Sequence, residues 1–209
     1  MPRLVLMLAL VLCSRLSAQP NIRQVDFKNF TYPVSGHLLG HGSLEWLDTP
    51  ANPATKQTTV RLVNGSQLTK ISSVVVDGKE HGQYEGFTFE SVSYADLMGD
   101  GNEEAIIVLM YHTGGTQTTN YVYVYASGEH GPKLLAYCHT GSRSDSGLYG
   151  VSARNGVLVF ELFDPARASG ECCSSGVLIS RYKWQHGVFK LAGPIERRTI
   201  PPPKEYPLK

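Results

Sequence analysis

The stretch richest in chemically useful side chains is Asp96-Leu97-Met98-Gly99-Asp100-Gly101-Asn102-Glu103-Glu104. Asp96, Asp100 and Glu104 stand at relative positions 1, 5 and 9, with Gly101 at position 6. Calcium takes about six to eight hard oxygens from a short flexible loop, and a glycine-centred turn can fold carboxylates back on one point. Asn102 adds a backbone carbonyl. The candidate metal ligands are therefore Asp96, Asp100, Asn102 and Glu104, and the candidate ion is calcium. Met98 at position 3 has no side-chain oxygen, and Ile107 stands at position 12, so the loop is not an EF-hand. The same residues also suit a plain turn between strands, in which Asp side chains accept from backbone N–H groups.

A second group is Gly141-Ser142-Arg143-Ser144-Asp145-Ser146-Gly147, with His139 just upstream. Serine with a histidine base is the core of a hydrolytic triad, and a triad is assembled in space rather than in sequence. No G-x-S-x-G elbow is present, and Ser-rich loops between strands are most often turns. We assign no catalytic residue on this basis. An extracytoplasmic hydrolase using the Ser142–Ser146 loop with His139 is the alternative to a noncatalytic reading. Three polar loops, 114–119, 141–147 and 169–175, are small and rich in donors. Gathered at one end of a sheet, they would form a rim for a polar ligand or a protein partner, with Arg143 and Asp145 as the specific contacts. The acidic turn should lie at the opposite end, one strand length away. His37 and His41 are four apart, but glycines surround them and no Glu follows His37, so a loop with solvent-facing imidazoles is expected.

Composition narrows the classes. The chain has 209 residues, 42% of them hydrophobic, and a net charge of +1. No surplus of Lys and Arg exists to neutralise phosphates, which argues against nucleic acid as a partner. The start reads as a secretory signal peptide over residues 1–18: Arg3, an unbroken apolar run from Leu4 to Cys13, then small and polar residues. Ten apolar residues fall short of the roughly 20 that a spanning helix needs. Removal of that segment takes Arg3 and Arg15 with it, and the net charge of +1 becomes −1. A secreted or periplasmic location follows, and with it an oxidising environment. Cys138, Cys172 and Cys173 are then disulfide candidates, with a bridge from Cys138 to either neighbour easier than a strained bridge between Cys172 and Cys173.

The elements that would position these groups are strands. The 21 glycines and 11 tyrosines suit a sheet with many tight turns. Glu104 to Tyr111 is apolar on both faces, the mark of a strand covered on both sides. Its expected partner, Asn120 to Ala126, carries Tyr121, Tyr123 and Tyr125 on one face, more often a packing face than a binding platform. Asn155-Gly156 and His186-Gly187 each sit between two strand-like runs and predict hairpins. Asn21 to Val34 reads as a first strand ended by Pro33. Phe87 to Leu97 reads as a strand with Phe87, Phe89, Ser91 and Ser93 on one face. A short helix is expected within 36–48 or 78–86. The fold class is mostly β, an antiparallel meander or sandwich-like domain over residues 19–195 with few short helices. Residues 196–209, with Pro201, Pro202, Pro203 and Pro207, read as an extended mobile tail.

The run Asp96-x-x-Gly99-Asp100-Gly101-x-x-Glu104 leading into an apolar strand resembles the calcium loop of FG-GAP propeller repeats, present here in a single copy. VDFKNFTYP, YADLMGDGNEEAIIVL, GGT, YVYVY, GSRSDSGLYG, ECCSSG and RYKWQHGVF occur in an order similar to that of a group of small secreted bacterial proteins of unknown function. That resemblance covers most of the mature chain. It implies export and a β-rich domain, and it implies no reaction. The expected function is a secreted, noncatalytic β-domain that binds an envelope protein or a polar ligand, without a membrane span, steadied by calcium.

Overall fold

The computed structural model describes residues 21–35, 57–169 and 174–201. The expected signal peptide, His37, His41, Cys172, Cys173 and prolines 202, 203 and 207 lie outside the described residues. Among the described residues there are twelve strands: β1 Thr31–Ser35, β2 Gln57–Arg61, β3 Ser66–Val76, β4 Lys79–Ala95, β5 Glu104–Thr113, β6 Thr118–Ala126, β7 Lys133–His139, β8 Leu148–Arg154, β9 Val157–Phe163, β10 Gly176–Gln185, β11 Val188–Leu191 and β12 Glu196–Thr199. All pairings between them are antiparallel. The fold is the mostly β, sandwich-like domain that the sequence leads one to expect.

The central sheet has the order β3-β4-β5-β6-β7 and the outer sheet β11-β10-β9-β8, with β12 also on β10. β5 sits mid-sheet, and its two apolar faces meet two different covers. Ile106 and Val108 join Val122, Val124, Ala136 and Cys138 against Leu158, Phe160, Leu162 and Phe189 of the outer sheet. Ala105, Ile107 and Leu109 join Tyr121, Tyr123, Tyr125 and Tyr137 against Ile22, Phe27, Tyr32, Val60 and Leu62 of the N-terminal segment. The tyrosine stripe is thus a packing face. Buried hydroxyls on this side are satisfied by backbone: Tyr123 donates to the Pro33 carbonyl at 2.8 Å, and Tyr32 of β1 donates to that of Phe27 at 2.6 Å. Two-residue turns close the hairpins as the sequence predicts, Asn155 and Gly156 taking φ of 52° and 71°.

Five expectations change. Residues 22–24 and 27–29 are 3-10 turns rather than strand, because the Asn21 and Asp26 side chains accept from the N–H groups of Arg23 and Lys28. Pro33 lies inside β1 instead of ending it. Among the described residues β1 pairs only with β2, so a residue without an N–H is tolerated on its other side. Of the two places expected to hold a short helix, 36–48 lies outside the described residues, and 79–86 is strand, paired with β3 and, at Glu85 and Gly86, with β5. The register of β4 on β5 slips between Phe89 and Ser91. That bulge adds one residue and flips the faces after it, so Phe87, Phe89, Val92 and Tyr94 share one side. Finally, Glu196–Thr199 is no mobile tail. It is β12, held along Gly176–Ile179.

Candidate functional site

The acidic turn folds around its own backbone. Asp96 accepts from Gly99 N–H at 2.6 Å through Oδ1 and from Gly101 N–H at 3.0 Å through Oδ2. Those glycines have φ of 75° and 85°, conformations that aim their amides inward and that other residues rarely adopt. Asp100 Oδ1 accepts from Asn102 N–H at 2.9 Å. Glu104, only 1% exposed, accepts through Oε2 from Leu97 N–H at 2.7 Å and Met98 N–H at 3.2 Å. Burial pushes its carboxyl above the usual range, and the two N–H bonds pull partly the other way. Glu103 points outward to Arg23, whose Nε and terminal nitrogen donate at 2.5 and 2.8 Å while its guanidinium lies 4.5 Å from the Tyr94 ring centre. The turn therefore locks the N-terminal segment onto the central sheet. Among the described residues no three Asp, Glu, His or Cys side chains converge at ion-holding spacing. Asp96, Asp100 and Glu104 share one turn and each accepts from that turn's own amides, while Glu104 Oε1 is buried without a hydrogen-bond partner among the described residues.

The serine loop is closed at its neck. A Cβ on Gly141 would lie 1.6 Å from the Asp145 carbonyl oxygen, and one on Gly147 would lie 2.4 Å from that of Ser142. Only glycine fits either position. Ser142 Oγ lies 3.4 Å from Ser144 Oγ. Ser146 takes φ of 55° with its hydroxyl buried. His139 is buried, its ring stacked on Tyr121 at 4.1 Å, and its Nε2 lies 2.8 Å from Thr119 Oγ1. Burial pushes the neighbouring Tyr121 phenol up to about 12, so it stays protonated. Arg143 is exposed and Asp145 half-buried on the loop between the two glycines. Cys138 is buried in the core between the two sheets.

Strand order decides where the loops go. β5 leaves the acidic turn and ends at Thr113; β6 returns; β7 runs back to His139. The loop after β5, the serine loop after β7 and the segment after β9 therefore share one end. Bonds tie them together: Thr140 N–H to Asn120 O at 2.8 Å, Phe163 N–H to Gly147 O at 2.9 Å, and Asp164 N–H to Gly176 O at 2.9 Å. The acidic turn lies at the other end, beside the Asn155-Gly156 turn, where a Cβ on Gly156 would come 3.7 Å from the Asp96 carbonyl oxygen.

Two features of the loop-bearing end escape a reading of the sequence. Asp164 is 1% exposed, accepts from Ala166 N–H at 3.0 Å, and has Arg197 Nε of β12 at 3.2 Å. The signal for it is Asp164-Pro165, a cap followed by proline at the first position of a short turn. The second feature is an arm. Pairing of β4 with β5 starts only at Glu85, so the ribbon of 71–84 runs past the sheet to its tip at Asp77-Gly78. Ile71, Val75 and Val76 are at least half exposed, and Val74 and Tyr84 nearly so. Strands of 11 and 17 residues, against a usual five or six, would have been the clue. At the arm's base, Leu68, Tyr84, His112, Gly114 and Thr116 line a shallow hollow of about 390 Å³. Ile71 reaches over Gly114, where a Cβ would meet its Cδ1 at 2.1 Å.

No family model matches this chain, and no curated protein or solved structure matches it.

Proposed function

We propose that this chain is a noncatalytic binding domain that acts outside the cytoplasm. It engages a polar ligand or a protein of the cell envelope through the end of the sandwich that bears the three loops and the arm. The observation that carries this reading is that, among the described residues, the 114–119 and 141–147 loops and the start of the segment after β9 share one end of the strands; residues 170–173 of the third loop lie outside the described residues. Loops on a rigid scaffold are where proteins place contacts, and an exposed apolar patch beside them is a further mark of an interaction surface. Arg143 is the expected anchor, since an exposed guanidinium supplies five donors and arginine is over-represented among the residues that carry binding energy. The hydrolase alternative has less behind it, because Ser142 and Ser144 face each other and His139 is turned to Thr119.

The test is retention of the mature protein on a washed bacterial envelope fraction. Retention should fall at least fivefold for Arg143→Ala, with the melting temperature unchanged. Equal retention of both proteins would overturn the rim as the contact. Labelling of the wild type by a fluorophosphonate, lost in Ser144→Ala, would overturn the noncatalytic reading.

A further inference from the structure

β3 pairs only with β4, so among the described residues its outer edge is open. Soluble proteins blunt such edges with charge, proline or a bulge. Here the bulge lies between Lys70 and Ser72, and the charge is Lys70 itself. Both sit at the base of the arm. From Ser72 to Val76 the strand has no charged side chain, and Val74, Val75 and Val76 are 40%, 72% and 51% exposed. We propose that this edge is a contact with a second copy of the chain, the two β3 strands pairing antiparallel about a two-fold axis at Val74. This goes beyond the binding reading and does not depend on it.

The strand is self-complementary in that register. Ser72 falls opposite Val76 of the second copy, Ser73 opposite Val75, and Val74 opposite Val74. Small meets large everywhere except on the axis, where two valines pack. Charges agree as well. From 70 to 85 the ribbon carries Lys70 and Lys79 against Asp77, Glu80 and Glu85, a net charge of −1, so repulsion between two arms is small. At each end of the pairing Lys70 lands beside Asp77 of the second copy. A two-stranded ribbon by itself is marginal in water, whereas three or more strands with apolar side chains sustain one another. Pairing turns two ribbons into one sheet of order β4-β3-β3-β4. Because each copy uses its one open β3 edge, the assembly closes at two and does not propagate. The strand contact is short, and a stable interface buries at least about 1,200 Å². The dimer is therefore weak and concentration-dependent.

Sedimentation velocity on the mature protein from about 1 µM to 1 mM reads this out. The wild type should pass from monomer towards dimer across that range. Val74→Lys puts two like charges on the axis, which is unfavourable in directly opposed strand pairs, and should weaken dimerisation at least tenfold. Its melting temperature should match the wild type, because the arm lies outside both cores. A mixture of Val74→Lys with Val74→Glu should restore a dimer that neither variant forms alone. A wild type that stays monomeric at 1 mM, or a dimer indifferent to Val74→Lys, overturns the proposal. Envelope retention that survives Val74→Lys leaves the binding reading standing by itself.

Discussion

At the acidic end of the sandwich, Asp96, Asp100 and Glu104 each accept hydrogen bonds from the turn's own amides, and Glu103 is held by Arg23. At the other end, glycine necks set Arg143 on an exposed loop, and a ribbon carries valines into solvent. Both ends are built of hairpin turns on the same strands. They differ in where the polar groups find partners. A carboxylate that accepts through both oxygens from the local backbone, as Asp96 does, fixes a turn. A guanidinium without such bonds adds little to the fold and stays available to another molecule. Richness in ligand-type side chains therefore does not by itself mark a ligand site. What matters is whether the local backbone can satisfy them first.

The contrast is broken most sharply at Glu104. Glu104→Ala leaves the amides of Leu97 and Met98 buried without an acceptor, and should cost about 2–4 kcal/mol in urea unfolding. Glu104→Gln keeps an acceptor and removes the charge, so it should match or exceed the wild type at neutral pH. The sign of the pH dependence follows from the raised carboxyl. The native chain binds this proton at pH values where the unfolded chain has released it, so the wild type gains stability as pH falls. The advantage of Glu104→Gln should shrink through that window, which lies above the ordinary value of 4.5. An advantage that grows on acidification would contradict the burial account.

A smaller effect is expected at Ser146, the positive-φ residue of the serine loop. Four others of this kind, Asn64, Asp77, Asn155 and His186, precede glycines in turns and are of types that tolerate the conformation better than serine. Ser146→Gly should stabilise the chain by about 1 kcal/mol on thermal unfolding, since glycine carries no left-handed penalty. A loss of stability would mean that the buried hydroxyl holds the loop. The smallest effect is expected from calcium. Millimolar calcium against chelator should move the melting temperature by less than about 1 °C, because a ligand raises it only by binding the folded state. A shift of several degrees, lost in Asp100→Ala, would return the acidic turn to the class of cation sites.

Much of the scaffold was legible because its signals are local. The double-sided apolar run of β5, the tyrosines of β6 and the Asn155-Gly156 turn each state a period or a dihedral. The rest depended on partners far along the chain. A bulge at Glu90 leaves no mark on composition, yet it reverses the faces of everything after it. Glu-Arg-Arg-Thr of β12 looks like a solvated tail until Asp164 and Glu161 are seen to meet Arg197 and Arg198. Val74-Val75-Val76 reads as strand, covered or not. In the acidic turn the residue types were plain, but the outcome rested on Gly99 and Gly101, whose inward amides claim Asp96.

One edge of β10 is shared end to end: β11 takes Tyr182–Gln185, and β12 takes Gly176–Ile179. As the polypeptide is made, the first half of that edge emerges about twenty residues ahead of the strand that seals it. Until then Val177, Leu178 and Ile179 present unpaired backbone to any neighbouring nascent chain. A product truncated before Glu196 would keep its cores and fail by clumping in solution. For this fold the last strand acts as a quality seal on biogenesis.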